Sequence, residues 1–339
     1  MIVEGLDLAA VQEFFDAKVP DVRGPLRAEL LPGGRSNLTY RLTDGHSTWV
    51  LRRPPLGGLT PSAHDMAREY QVVAALANTS VPVPRPVALS QDPSILGMPF
   101  SVVEYVPGQV IRTQDDLHAL PDADIVRCAY GLIDVLAELH AIDPEAVGLG
   151  GFGRPTGYLM RQIRRWHNQW NRVRSQALPD VETLHLRLAE TCPAESASSI
   201  VHGDYRIDNA ILDVGDAGTV RALIDWEMAT LGDPLADLGL HLAYSDSALD
   251  FVLGDCAAST SKRLPSADHL AQRYAIASRR NLDNLSFYRA LGYFKGAVIA
   301  EGVHARYTSG FMLGPGFETA GQAVPLLAAA GINALAARR

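Results

Sequence analysis

The chain has 339 residues, 47% hydrophobic and 20% charged, a composition that supports a sizeable core and excludes a disordered protein. A formal net charge of −8 disfavours a general nucleic-acid surface or an anionic membrane as partner. Cys128, Cys192 and Cys256 are odd in number and far apart, so no disulfide framework or zinc knuckle is read from them, and a reducing cytoplasm is the simplest location.

The N-terminal "MIVEGLDLAA" lacks the basic start and apolar core of a signal peptide. Leu8, Val11, Phe14 and Phe15 recur at helical spacing, giving a short amphipathic helix over 8–18. Strand-like runs follow, punctuated by Pro32-Gly33-Gly34 and Asp44-Gly45 and stopped by Pro54-Pro55, which predicts an antiparallel meander of three strands. "PSAHDMAREYQVVAALAN" reads as a helix begun by Pro61 and Ser62, with Met66, Tyr70, Val73 and Ala77 as its apolar stripe. "VPVPRPVAL" reads as an extended connector, and "GMPFSVVEYVPGQVI" as a strand ended by Pro107-Gly108. From about residue 115 the pattern is mostly helical, with short strands expected near 199–202, 210–213 and 220–225. The C-terminal "AVPLLAAAGINALAA" is too short and Ala-rich to cross a membrane and reads as a packed helix. The division falls at 1–106 and 107–339, a β-rich part with one main helix before a larger helical part.

Within the helical part, "IVHGDYRIDNAIL" places Asp204 and, five residues later, Asn209 between apolar runs; "VRALIDWE" then delivers Asp225. A polar turn followed by a hairpin would account for this pattern structurally. It also supplies what phosphoryl transfer needs: a carboxylate that accepts a hydroxyl proton, and hard oxygen donors suited to Mg²⁺. In "STWVLRR", alternation puts Arg52 on the face opposite Leu51 and Arg53. Glu69 lies inside the apolar stripe of the next helix, where a charge is costly unless paired, and Arg52 is its candidate partner. A strand cation held by a helix glutamate is the device kinases use to fix nucleotide phosphates. The turn "LPGGRSNLTYRL", with Ser36 and Asn37, could cradle phosphate oxygens with its backbone N–H groups, although Gly-Gly turns are common.

"GGRSNLTYRL", "WVLRRPP", "VVEYVPGQ", "VHGDYRIDNAIL" and "LIDWEMATLGDPLADLG" together resemble the aminoglycoside phosphotransferase superfamily, and specifically the branch fused ahead of some acyl-CoA dehydrogenases. The matching segments run from about residue 30 to 310. The resemblance implies an α+β, protein-kinase-like, two-lobed fold with a small antiparallel β-sheet N-lobe and a larger, mostly helical C-lobe. It implies ATP or GTP with Mg²⁺ as cofactors and a small hydroxylated molecule as acceptor, with no nucleic acid or membrane partner. Asp204 would orient or deprotonate the acceptor, and Arg206 would steady the transferring phosphoryl. Asn209 and Asp225 would hold Mg²⁺; Ser36, Asn37, Arg52 and Glu69 would serve the phosphates, and Glu104 and Val106 would offer hinge backbone groups to adenine. His202, Asp233 and Asp237 would brace the loop.

One departure is Arg52 where the family keeps a lysine; lysine occurs only at 18, 262 and 295. Arginine still binds phosphate, bidentately and with a permanent charge. The departure keeps a catalytically silent nucleotide- or acyl-CoA-binding module open, beside an aminoglycoside or amino-alcohol kinase. "GLGGFG" at 148–153 spells a dinucleotide fingerprint but lacks the strand before it and the helix start after it, so it reads as a loop. The helix after it carries Arg161, Arg164, Arg165, Arg172 and Arg174 with Trp166 and Trp170: a solvated basic face, or a wall suited to an anionic substrate.

Overall fold

The computed structural model describes residues 5–31, 37–55, 65–254, 256–310 and 317–337. The chain forms two compact units: Met1–Pro107 with Arg221–Ala229, and Gly108–Val220 with Thr230–Arg339. Segment 221–229 joins the smaller unit because the Leu223 N–H donates to the Pro82 carbonyl at 2.8 Å and Asp225 pairs with Arg52.

The smaller unit runs α1 (Leu8–Lys18), β1 (Arg27–Leu30), β2 (Leu38–Thr43), β3 (Thr48–Arg53), α2 (Met66–Leu76), β4 (Pro86–Ser90), α3 (Pro93–Leu96) and β5 (Phe100–Glu104). Its antiparallel sheet has the order β1-β2-β3-β5-β4. The segment expected to be only a connector supplies β4. The strand's one proline, Pro86, is tolerated because it begins an edge strand, where a missing N–H leaves no ladder bond unmade. Beneath the sheet, Phe15 meets Trp49 edge-on at 5.3 Å and Phe14 meets Phe100 at 4.9 Å. Tyr40, Leu42, Leu51 and Val102 close this core. Each such side chain, fully buried, stabilises the fold by roughly 1.5–3 kcal/mol.

Asp65 caps α2, its carboxylate accepting from the Arg68 N–H. The expected start at Pro61 and Ser62 lies outside the described residues. The buried stripe is Met66, Glu69, Val72, Val73 and Leu76, whereas the expected Tyr70 and Ala77 are half-buried. Glu69 therefore sits at the centre of the apolar face.

The larger unit holds α4 (Gln114–His118), α5 (Asp122–Ala141), α6 (Tyr158–Val173), α7 (Pro179–Glu190), β6 (Ser199–Val201) and β7 (Ala210–Leu212). After β8 (Val220–Leu223) come β9 (Thr230–Gly232), α8 (Pro234–Ala243), α9 (Asp250–Leu253), α10 (Ala267–Ser278), α11 (Leu285–Thr308) and α12 (Ala320–Ala336). Strands β6 and β9 pair antiparallel, and α11 packs against α6, α8 and α12. Trp170, Tyr205, Tyr274, Tyr288, Phe287 and Phe294 are fully buried here. The "GLGGFG" segment is a loop, and a Cβ on Gly153 would come within 2.7 Å of the Leu231 nitrogen, so that glycine serves close packing on β9. Among the described residues, no helix is long and apolar enough to cross a membrane.

Candidate active site

Two clusters of chemistry-bearing side chains stand out, one in each unit. In the smaller unit, β3 alternates as expected: Leu51 and Arg53 are buried, and Arg52 lies on the other face. Its Nη1 is 3.1 Å from Glu69 Oε2 and its Nη2 is 2.6 Å from Asp225 Oδ1. Glu227, which sequence reasoning left without a role, stands 3.9 Å from the same Nη2 and accepts from Asn37 Nδ2 at 3.4 Å. Asp225 has φ 67° and ψ 60°, a left-handed conformation that aspartate adopts more readily than most residues. The one-turn helix after it, Trp226–Met228, is anchored by the buried Trp226, whose indole N–H donates to the Leu223 carbonyl at 3.1 Å.

Three carboxylates thus face one guanidinium. Burial pushes Glu69 up to about 7 against the pull of Arg52, and the neighbouring charges of Asp225 and Glu227 add to the rise. Arg52 is itself buried, yet Glu69 and Asp225 hold it above its ordinary value. Oxygens of Glu69, Asp225 and Glu227 lie within 4.8 Å of one another, and Glu69 Oε1 is buried without a hydrogen bond. A surplus of hard, negatively charged donors is what Mg²⁺ takes, so the residues present fit that ion.

Glu104 closes β5, with its N–H committed to the Arg85 carbonyl at 2.9 Å. Val106 lies just beyond the strand and makes no hydrogen bond among the described residues. Ser36 and the glycine turn before it lie outside the described residues.

In the larger unit, the loop after β6 turns at Gly203, whose φ of +82° an L side chain rarely adopts. Asp237 on α8 fixes the turn: its carboxylate accepts from the His202 N–H at 2.5 Å and the Gly203 N–H at 2.8 Å. Asp233 caps α8 and accepts from Ser196 N–H and Oγ, both at 2.6 Å, and from the Tyr288 hydroxyl at 2.8 Å. His202 Nδ1 accepts from the Asp204 N–H at 3.3 Å.

Asp204 Oδ2 accepts from Asn209 Nδ2 at 3.2 Å, and its Oδ1 from the Tyr244 hydroxyl. Asn209 Nδ2 also donates to the Asp204 carbonyl at 2.9 Å, which orients the amide and leaves its oxygen available to a cation. Arg206 lies 3.4 Å from Asp204 and 3.2 Å from Asp208, stacked 5.3 Å over the Tyr244 ring. Burial alone would raise Asp204, but Arg206, Lys295 and the Tyr244 hydroxyl hold it below the usual carboxylate range. It is therefore an ionised acceptor at neutral pH. Burial, aided by the charge of Asp204, keeps Tyr244 protonated and able to donate.

Lys295 on α11 was missed from the sequence. Its ammonium donates to the Gly203 carbonyl and lies 5.3 Å from the centre of the Trp166 ring. Burial pulls it down to about 8, although Asp204 and Asp237 oppose the fall. A lysine census pointed to position 295 as one of three, but nothing local marks it as facing the Asp204 loop.

A family model described as the phosphotransferase enzyme family (APH) matches residues 27–288. Acyl-CoA dehydrogenase family member 11 of Gallus gallus is 36% identical over 297 residues, covering 85% of this chain and 38% of that protein. The human member 11 is 34% identical, over 82% of this chain and 36% of that protein. The chain thus spans well under half the length of these curated relatives. A crystal structure from Ralstonia eutropha JMP134, assigned as an aminoglycoside phosphotransferase, superposes with a TM-score of 0.83 at 30% identity, covering 98% of this chain and 99% of that one.

Proposed function

Since the chain belongs to the phosphotransferase enzyme family, we propose that it transfers the γ-phosphate of ATP or GTP, with Mg²⁺, to a hydroxyl of a small molecule, with a hydroxy acid or hydroxyacyl thioester as the favoured acceptor class. The observation that carries this reading is the Arg52 guanidinium bound at once to Glu69 and Asp225. A cation held in this way supports phosphoryl transfer, which needs a fixed positive charge on the nucleotide phosphates.

In this reading Arg52 grips phosphate oxygens bidentately, and Glu69 holds its planar head in register. Asn37 would steady Glu227 beside the phosphates, and Glu104 and Val106 would offer backbone groups to the base. Asn209 and Asp225 are the proposed Mg²⁺ donors, and Glu227 joins them as a candidate. The ion, when bound, would neutralise charge building on the phosphate oxygens. Asp204, held ionised, orients the acceptor hydroxyl and takes its proton as the new P–O bond forms. Arg206 keeps that carboxylate in place and adds positive charge beside it.

Transfer of labelled γ-phosphate to a panel of hydroxylated metabolites tests the proposal. Asp204→Asn is expected to lower turnover by roughly 10²–10⁴ with nucleotide binding retained. Asp225→Asn is expected instead to weaken metal-dependent nucleotide binding. Negligible effects from both would refute the assignment. The second reading, a silent nucleotide- or acyl-binding module, draws on Arg52 standing where a lysine is usual. It predicts stabilisation by Mg-ATP with no transfer to any acceptor.

A further inference from the structure

Helix α6 lies against α11 in the larger unit, and a hollow of about 220 Å³ opens along their contact. Arg165, Trp166 and Gln169 line it from α6; Val298, Gly302 and Arg306 line it from α11. The spacings are helical, so each helix turns one continuous face to the hollow.

The charges here are unbalanced. Helix α6 contains no acidic residue, and α11 contains one, Glu301. That carboxylate is fully buried and does not line the hollow; its Oε1 accepts from the Ser175 N–H at 2.5 Å and the Ser175 hydroxyl at 2.7 Å, and its Oε2 makes no hydrogen bond. Two other arginines of this region are spent locally. Arg161 donates to the Thr156 and Arg154 carbonyls, and Arg174 pairs with Glu182 at 3.4 Å. Arg165 stacks 5.6 Å over Trp166, and among the described residues neither Arg165 nor Arg306 has an ion-pair partner. Crowding holds Arg306 below the usual guanidinium range, with no carboxylate opposing the effect.

Side-chain contacts link the wall of the hollow to the Asp204 loop. Trp166, which lines the hollow, is the ring over which Lys295 lies, and Lys295 donates to the carbonyl of Gly203, the residue before Asp204.

We propose that the hollow lined by Arg165, Trp166, Gln169, Val298, Gly302 and Arg306 is an anion subsite that holds a carboxylate or phosphate group of the phosphoryl acceptor. The assignment of that anion to the acceptor rests on the phosphotransferase reading. Two guanidiniums with free donors match the planar oxygens of either group, and a concave wall with no acid repels a polycationic sugar. The volume suits a terminal acidic group and its first few carbons.

The test is calorimetric titration of the full chain, with Mg-ATP present, against two pairs of probes. They are 3-hydroxybutyrate with 1,3-butanediol, and glycerol 3-phosphate with glycerol. The wild type is expected to bind one or both anionic members at least roughly tenfold more tightly than the neutral partner. The arm that responds tells carboxylate from phosphate. Arg165→Gln combined with Arg306→Gln is expected to remove that preference, while Arg306→Lys retains part of it and Mg-ATP affinity is unchanged. Both arginines are solvent-exposed, and an unchanged thermal midpoint verifies folding. Anion binding that survives the double substitution, or equal binding of the neutral members, overturns the inference. Arginine-dependent binding without phosphorylation of any probe supports the subsite and counts against the phosphotransferase reading. Phosphorylation of neutral acceptors at rates the substitutions leave unchanged does the reverse.

Discussion

Replacing Glu69 by glutamine sets two effects against each other in one residue. Breaking a buried ion pair ordinarily costs a protein about 3–5 kcal/mol, because one charge is left stranded. Here Arg52 would not be stranded, since it keeps Asp225 at 2.6 Å. The carboxylate, meanwhile, is a burden on the folded state: burial outweighs the attraction of Arg52, and its pKa rises from 4.5 to about 7. Between those values the folded chain holds a proton the unfolded chain has released. Stability attributable to Glu69 is therefore lost as pH rises from 4.5 to 7 and stays low above that. At about 1.4 kcal/mol per tenfold change, the loss comes to about 3 kcal/mol. Glu69→Gln should thus be more stable than the wild type at pH 8 by that order, with the difference vanishing below pH 4.5. Urea unfolding at a series of pH values, with matched m-values, measures it. The same substitution should reduce kcat/KM for ATP by roughly tenfold, the loss of about one charge-assisted hydrogen bond to Arg52. A variant less stable than the wild type at pH 8 would show that the ion pair, not burial, dominates this position.

Lys295→Met tests the opposite kind of group. The folded chain releases the Lys295 proton near 8 and the unfolded chain near 10.5. Between these values the unfolded chain binds more protons, so wild-type stability should rise by about 3 kcal/mol relative to the variant, read from paired denaturation series. Asp237→Ala strips an acceptor from the buried His202 and Gly203 N–H groups, at about 1–3 kcal/mol each; a midpoint change worth less than about 1 kcal/mol would refute its bracing role. Gly203→Ala forces a side chain into φ +82° and should cost about 1–2 kcal/mol by the same assay, with turnover falling further than stability.

The parts of the molecule legible in the sequence are those whose chemistry is local. Arg52 could be assigned a face because strands alternate, and Glu69 flagged because an acid inside an apolar stripe needs a partner. Asp204 and Asn209 share one turn, so the sequence brought them close together, while the hydrogen bond between them came only with the structure. The groups that went unread are joined to the loop only by the fold. Tyr244 reaches Asp204 across 40 positions and Lys295 reaches Gly203 across 92, and neither helix shows a local irregularity that announces it. Strand β4 was hidden for a different reason: Pro82, Pro84 and Pro86 argue against a central strand, and only the sheet order reveals that β4, which begins at Pro86, is an edge. Of the arginine-rich helix, sequence could not separate Arg161 and Arg174, which are spent on neighbours, from Arg165, which is not.

The two carboxylates that matter most are driven in opposite directions, and the difference bears on mechanism. Asp204 is surrounded by groups that favour its charge, so it is a poor proton acceptor but a firm hydrogen-bond acceptor. A base matched to neutral pH would need the reverse environment. In phosphoryl transfer with a loose transition state the hydroxyl proton departs late, and what the acceptor needs early is orientation. In the proposed reaction a strongly ionised aspartate, clamped by Tyr244, Asn209 and Arg206, would supply that orientation early and take the proton only late, as the new P–O bond forms. Glu69 is the group near its midpoint at neutral pH, yet it lies beneath Arg52. In the proposed reaction its proton inventory would act on how firmly Arg52 is held. A pH dependence of turnover near 7 would then come from that pair, and Lys295, near 8 beside the Asp204 loop, would add a second step at higher pH.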